Sequence, residues 1–218
     1  MTVRAFWDDP YAARIEATIA AVSGADVELD RTIFFAFSGG QESDAGSIGG
    51  HEVLQARLDE PRLIYTLANG HGLRVGDRVM VEIDWARRYA LMRLHFSAEL
   101  VLEMVCAALP GVRRIGAHIA RDKARIDFEW PESIAPLLPA IVERVAGIVN
   151  ADLPIVSAYS DPATNRRYWE VAGVARVPCG GTHLKRTGEV GELALKRKNV
   201  GGGKERVEIR LVAQSPRS

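Results

Sequence analysis

Cysteine is nearly absent from this sequence. Cys106 and Cys179 are the only two among 218 residues, and they lie far apart in the chain. A disulfide framework is thereby excluded, and such sparse use fits a reducing compartment, where a cysteine is buried filler or a metal ligand. Long apolar runs are missing as well: no eighteen consecutive apolar residues occur, so no membrane span is expected. The N-terminus turns acidic at Asp8 and Asp9, and Arg14 and Glu16 interrupt the next apolar stretch, which is no signal peptide. The cytoplasm is the expected location. An excess of one charge is also lacking, with 28 Lys and Arg against 28 Asp and Glu. A net charge of zero argues against a protein whose main task is to coat nucleic acid.

What is present is the make-up of a folded globular protein. The hydrophobic fraction of 47% excludes disorder, and 218 residues allow one large domain or two small ones. Charge is unevenly spread. Between Lys185 and Arg210 stand eight Lys and Arg against four Glu, which leaves this segment at +4 and the remainder at −4. A basic edge on a neutral body can still meet phosphates.

The first 84 residues read as β. Arg14–Val22, Thr32–Phe37, Glu52–Leu58, Leu63–Leu67 and Arg78–Ile83 are short apolar or β-branched runs, punctuated by turns rich in Gly and Asp. Such spacing suggests a small barrel or curled sheet. At Asp84-Trp85 the pattern changes. No Gly or Pro occurs from Trp85 to Leu109, Asp84 is placed to cap a helix, and Leu109-Pro110-Gly111 stops it. The middle of this helix is apolar on most sides, so it is expected to lie against a sheet. Strands are expected at Arg113–Ile119 and Ala124–Phe128, then a helix starting between Pro136 and Pro139 and running to about Val149. Further strands are expected at Pro154–Tyr159, Tyr168–Ala172 and Arg206–Val212, with Gly201-Gly202-Gly203 as a loop before the last. The second half is thus α+β, with helices on one face of a largely antiparallel sheet.

The sharpest local signal is Cys179-Gly180-Gly181-Thr182-His183. A thiolate and an imidazole three residues apart can face one ion, because the glycines let the backbone fold tightly. The plain alternative is a glycine turn with a buried Cys beside a surface His. His95 and Glu99, four residues apart on the long helix, share a face one turn apart. Glu99 falls in an apolar stretch, where a carboxylate must be exposed, paired or ligated. Together the pairs offer His95, Glu99, Cys179 and His183, mixed N, O and S donors in the number a tetrahedral zinc prefers. The loop Ser38-Gly39-Gly40-Gln41-Glu42-Ser43-Asp44-Ala45-Gly46 brings backbone amides close to a ligand, but it lacks the lysine and spacing of a phosphate loop. Neither a Gly-x-Ser-x-Gly elbow nor His-Glu-x-x-His occurs. His51 and His71 read as solvated, Cys106 as helix filler, and His118 faces either the site or the core.

These pieces, in this order, resemble the free-standing alanyl-tRNA editing proteins, which are similar to the editing domain of alanyl-tRNA synthetase. The loop Ser38–Gly46 looks like the family's Gly-Gly-Gln-Pro-x-Asp-x-Gly segment. Asp84-Trp85-x-x-Arg88-x-x-Leu91-Met92-Arg93-Leu94-His95 looks like the start of its His-x-x-x-His helix, and Gly116-Ala117-His118 through Asp127-Phe128 resembles the hairpin that follows. Pro178-Cys179-Gly180-Gly181-Thr182-His183 through Thr187-Gly188-Glu189 matches its Cys-x-x-x-His signature and the Thr-Gly-Glu beyond, and is the most specific of the four. Three positions depart from the pattern: Glu99 replaces the second helix histidine, Phe96 a threonine, and Glu42 the proline of the glycine loop.

The resemblance implies a small N-terminal β-barrel, residues 1–84, followed by a zinc-binding α+β editing domain, residues 85–218. It also implies a zinc-dependent hydrolase acting in trans on the acceptor end of tRNA(Ala) mischarged with serine or glycine, without ligase activity. His95, Glu99, Cys179 and His183 would hold one Zn2+; Gln41 and Thr182 would position the aminoacyl group, and Glu99, if free, would serve as general base. Lys185, Arg186, Lys196, Arg197, Lys198 and Lys204 would meet acceptor-stem phosphates. The carboxylate in place of an imidazole makes the site formally neutral, where three His and one Cys leave +1. The alternative is an editing-like module that binds tRNA or an aminoacyl compound without cleaving it.

Overall fold

The computed structural model describes residues 2–212, which fall into two compact units, one of residues 2–38 and 42–89, the other of residues 39–41 and 90–212. Nearly all strand pairing is antiparallel, and two α-helices complete an α+β architecture.

In the first unit the strands are β1 (Val3–Arg4), β2 (Arg14–Ser23), β3 (Asp26–Leu29), β4 (Arg31–Thr32), β5 (Gly46–Ile48), β6 (His51–Glu52), β7 (Gln55–Asp59), β8 (Arg62–Thr66) and β9 (Arg78–Ile83). Seven of them form one sheet in the order β6-β5-β9-β2-β3-β8-β7, while β1 pairs with β4 in parallel. Alternation does the work expected of half-buried strands: Val79, Val81 and Ile83 of β9 turn inward between exposed Arg78 and Glu82. Their core partners include Ile19, Val27, Leu29, Leu63 and Tyr65.

The run Thr32–Phe37, expected as a strand, is one only at Arg31–Thr32. Ile33, Phe34, Phe35 and Ala36 are buried all the same. Buried backbone polar groups need partners, and here side chains supply several of them. The Phe34 amide donates to Thr32 Oγ1 at 3.0 Å, the Phe35 amide to Asp44 Oδ2 at 2.7 Å and the Phe37 amide to Ser43 Oγ at 2.8 Å. Tyr65 donates to the Phe34 carbonyl at 3.0 Å. The glycine loop thus serves this unit as a scaffold through Ser43 and Asp44. Arg88, fully buried, forks onto both oxygens of Asp44 and reaches the carbonyls of Pro10 and Ile33.

Helix α1 (Trp85–Ala108) starts where the sequence places it, with the Arg87 amide on the Asp84 carboxylate at 3.0 Å. From Leu91 to Val105 it is buried nearly all round, as its apolar composition requires. In the second unit follow β10 (Arg113–Ile119), β11 (Ala124–Glu129), α2 (Leu138–Asn150), β12 (Val156–Asp161), β13 (Arg166–Val171), β14 (Ala175–Pro178), β15 (Leu193–Gly201) and β16 (Lys204–Leu211). They make a four-stranded sheet β10-β11-β16-β15 and a three-stranded sheet β12-β13-β14. Helix α2 buries Leu138, Ile141, Val145 and Val149, one stripe at helical spacing. The expected strands at Pro154–Tyr159 and Tyr168–Ala172 are found slightly shifted, whereas β3, β5, β14 and β15 were not expected. The three glycines Gly201–Gly203 lie at the turn joining β15 to β16. Cys106, expected as filler, is exposed.

Candidate metal centre

Two pieces of chain in the second unit build the site. Helix α1 presents His95 and Glu99 one turn apart, and β14 delivers the loop Cys179–His183. The loop is anchored at its start by the Cys179 amide, which donates to the Arg167 carbonyl of β13 at 3.0 Å. Beyond His183 it is anchored by Thr187, whose hydroxyl donates to the Ile148 carbonyl and accepts from the Leu153 amide, both at 2.8 Å. The Glu189 carboxylate accepts from the amides of Lys185 and Arg186 at 3.0 Å. The Thr-Gly-Glu segment therefore holds the loop in place. Gly181 presses directly on His95: a Cβ there would lie 2.6 Å from the ring atoms Cε1 and Nε2. The short loop is thus built without side-chain volume where its backbone meets the imidazole.

His95, Glu99, Cys179 and His183 converge, each offering one donor atom, with all four atoms within 4.8 Å of one another. His95 Nε2 lies 3.3 Å from Cys179 Sγ and 3.3 Å from Glu99 Oε2, and His183 Nε2 lies 3.2 Å from Glu99 Oε2. Bonds of roughly 2.0–2.3 Å in a tetrahedral array set neighbouring donors about 3.3–3.6 Å apart, so these separations suit a shared cation. Hydrogen bonding does not account for them in full. Glu99 Oε2 and His183 Nε2 are buried and 3.2 Å apart, yet neither atom has a well-formed hydrogen bond among the described residues. Orphaned buried polar atoms of this kind are costly unless something sits between them. The residues therefore fit a metal ion.

Electrostatics agrees. Burial works against charge on Glu99, yet the two imidazoles outweigh it and hold the carboxyl well below the usual range. The Cys179 thiol, raised by burial, is brought down on balance by His95. Burial would strip the protons from His95 and His183, and the neighbouring carboxylate and sulfur reverse that, lifting both. The cluster favours carboxylate and thiolate and draws positive charge toward them. The other nitrogen of His183, Nδ1, lies 3.1 Å from Ser157 Oγ of β12, which orients the ring with Nε2 toward the cluster. Ser157 escaped the sequence reading, since nothing in its own segment marks it and only strand pairing carries it there.

Gln41 belongs to the same unit. The Gly40 carbonyl accepts from the Ile119 amide at 2.8 Å, and Gln41 pairs with Ile119 as a single parallel bridge. Gly40 has φ +91°, and a Cβ there would strike the Ala117 carbonyl oxygen at 2.5 Å. Gln41 is fully buried; its Nε2 donates to Thr182 Oγ1 at 3.3 Å, and its Oε1 has no partner among the described residues. The pair therefore stands beside His183 in sequence with one acceptor to spare.

The remaining candidates lie elsewhere. His118 stands opposite Arg125 in the β10–β11 ladder and is not among the four converging donors. Arg186 is paired with Asp152 at 2.7 Å, Arg197 with the buried Glu205, and Lys198 with Glu208 at 2.8 Å. Lys185, Lys196 and Lys204 are exposed.

Comparison with known proteins follows the same lines. Residues 173–208, which contain the Cys179–His183 loop, match the family described as threonyl and alanyl tRNA synthetase second additional domain. The alanyl-tRNA editing protein AlaX-M of Pyrococcus horikoshii is 32% identical over 216 residues, covering 97% of this chain and 98% of its own length. The protein of that name from Methanosarcina mazei is 31% identical over 252 residues, covering 99% of this chain and 98% of its own. The alanine–tRNA ligase of Methanococcus aeolicus is 27% identical over 225 residues, and the match covers 93% of this chain but 25% of the ligase. With end-to-end similarity at this level, and with the Cys179–His183 signature inside it, the chain belongs to the family of alanyl-tRNA editing proteins.

Proposed function

We propose that this protein is a zinc-dependent trans-editing hydrolase that removes serine or glycine from mischarged tRNA(Ala) by cleaving the aminoacyl ester on the terminal ribose. The observation that carries the reading is the meeting of His95, Glu99, Cys179 and His183 around one point. The names of the end-to-end relatives supply the substrate class. Residues 1–84 are read as the small β-barrel domain and residues 85–218 as the zinc-binding editing domain. No helix of the described residues is long and apolar enough to cross a membrane, and the cytoplasm, where charged tRNA is used, is the proposed location.

His95, Glu99, Cys179 and His183 would hold one Zn2+, which when bound supplies a Lewis acid that polarises water or the ester. Glu99 and a thiolate at Cys179 would neutralise a 2+ ion, so the centre would be a weaker Lewis acid than one with a third imidazole. Gln41 and Thr182 position the aminoacyl group. The unpartnered Gln41 Oε1 accepts a hydrogen bond from its amino or hydroxyl group, while the Gln41–Thr182 bond holds the amide in place. A polar test of this kind separates serine from alanine more strictly than pocket volume does. If Glu99 instead swings free of the metal, it would take a proton from attacking water, and one position on the ion would open. Cleavage consumes one water and yields the free amino acid and the ribose hydroxyl.

The test is metal analysis joined to a deacylation panel. The purified protein should contain one zinc per chain and release serine or glycine from tRNA(Ala), and Cys179→Ala should lose both metal and activity. Zinc-loaded wild type that hydrolyses none of the misacylated tRNAs would overturn the hydrolase reading and leave a non-cleaving binder.

A further inference from the structure

The four-stranded sheet has two unlike faces. Leu193, Val207, Ile209, Ala124, Ile126, Phe128 and Ile119 are buried on one side. The ladder register places the intervening residues on the other side in rows across the strands. One row runs Lys198, Arg206, Asp127, Gly116; the next runs Lys196, Glu208, Arg125, His118; the third contains Ala194 and Arg210. Lys123, two residues before Arg125, reaches Glu208 at 3.9 Å and joins the same face. Arg197, by contrast, stands opposite Val207 and pairs with Glu205, on the buried side.

We infer that this polar face is the surface that receives the phosphate backbone of the tRNA, an inference that rests on the proposed editing reading for the identity of the RNA. In these rows with Lys123, six cations (Lys123, Arg125, Lys196, Lys198, Arg206 and Arg210) meet two acids, Asp127 and Glu208, a local +4 on a chain whose net charge is zero; the next row adds Lys204 and Arg113 against Glu129. The acids do not cancel the field; they order it. Asp127 is shared by Arg125 and Arg206, and Glu208 by Lys123 and Lys198. A guanidinium has five N–H donors, and a carboxylate shared by two of them leaves most free for phosphate oxygens. Four of the six cationic groups are thereby held in a fixed array before any partner arrives. The three rows contain no apolar side chain larger than Ala194, and the exposed Ile115 and Val200 stand at bulges outside them, so these rows lack the buried anchors on which protein interfaces depend and the apolar residues by which peripheral helices enter a membrane. Phosphate contacts of this kind position a nucleic acid without reading its sequence.

The experiment uses the full chain with its metal and measures binding of uncharged tRNA(Ala) as a function of salt, beside metal content and deacylation. Lys196→Glu/Arg210→Glu, two exposed positions, should weaken tRNA binding roughly tenfold or more at low salt and make the salt slope shallower by about two. The milder Lys196→Gln/Arg210→Gln should move both in the same direction by less. KM for misacylated tRNA should rise with kcat and bound metal unchanged. A charge-matched pair in the other unit, Arg31→Glu/Arg74→Glu, should do neither. Equal effects of the two reversed pairs, or a face that captures vesicles of anionic phospholipid but not tRNA, would overturn the inference. Wild type that binds tRNA with this salt dependence yet deacylates nothing would sink the hydrolase reading and leave the surface standing.

Discussion

Gly181 is where a single atom decides the site. Because a Cβ would lie 2.6 Å from His95 Nε2, Gly181→Ala must push the imidazole away from Cys179 and Glu99. Zinc affinity, measured by competition with a chelator, should fall about 10–100-fold, with the far-ultraviolet spectrum of the fold preserved. Unchanged affinity would mean that the loop yields more easily than its anchors at Cys179 and Thr187 allow. Arg88 and Asp44 make the opposite kind of point. Both are fully buried and bound to each other by a two-bond fork. Arg88→Leu leaves the Asp44 carboxylate without its cation and should cost about 3–5 kcal/mol of stability in denaturant unfolding. The resemblance gave both residues in its motifs, yet they are 44 positions apart, and no local pattern marks an ion pair at that separation. The same holds for Ser157 and His183. His95 with Glu99, and Cys179 with His183, were legible because one helical turn or one glycine turn brings each pair together whatever the rest of the chain does.

Among the elements, β15 shows most clearly what pattern reading misses. Leu193, Leu195 and Arg197 lie on the side of Val207 and Ile209, but Lys196, Arg197 and Lys198 in succession read as a basic edge. Arg197 hides the alternation because its charge is neutralised by Glu205, which also accepts from the Ile134 amide at 3.2 Å. Helix α1 had no such disguise: twenty-four residues without Gly or Pro, capped by Asp84, form a helix wherever they are packed. The Glu205 pair also sets a pH dependence. The Arg197 hydrogen bonds, more than offsetting burial, hold the Glu205 carboxyl below its ordinary value in the folded chain. A lowered folded pKa means that the ionised form favours folding, so the contribution is complete above the unfolded value of about 4.3. It is lost as pH falls through the folded value. Glu205→Gln should therefore cost about 1–3 kcal/mol at pH 7, and in urea titrations the gap from wild type should begin to narrow below the unfolded value and close as pH falls through the folded one. A gap that persisted in acid would mean the loss comes from packing alone.

At the scale of the whole molecule, a metal that binds only the folded chain adds to its stability by mass action. At a free concentration a hundredfold above Kd the gain is about 2.7 kcal/mol. A chain of this size shifts by roughly 2–4 °C per kcal/mol. Chelation should then lower Tm by about 5–10 °C, reversed by adding zinc, and the Cys179→Ala protein should be insensitive to the chelator. Equal Tm values with and without chelator would count against a metal shared by these four residues.

By itself, the sequence determined whatever depends on neighbours along the chain: the long helix, the amphipathic stripe of α2, the glycine-flexed Cys–His loop, and the chemical kind of each donor. The resemblance grouped the four donors and tertiary structure brought the two pairs together; tertiary structure alone decided which nitrogen of His183 turns inward and which face of a charged hairpin is open. The reason is physical. Helical and turn geometry act over a few residues, whereas burial, ion pairing and ladder register act between atoms that only folding brings within a few ångströms.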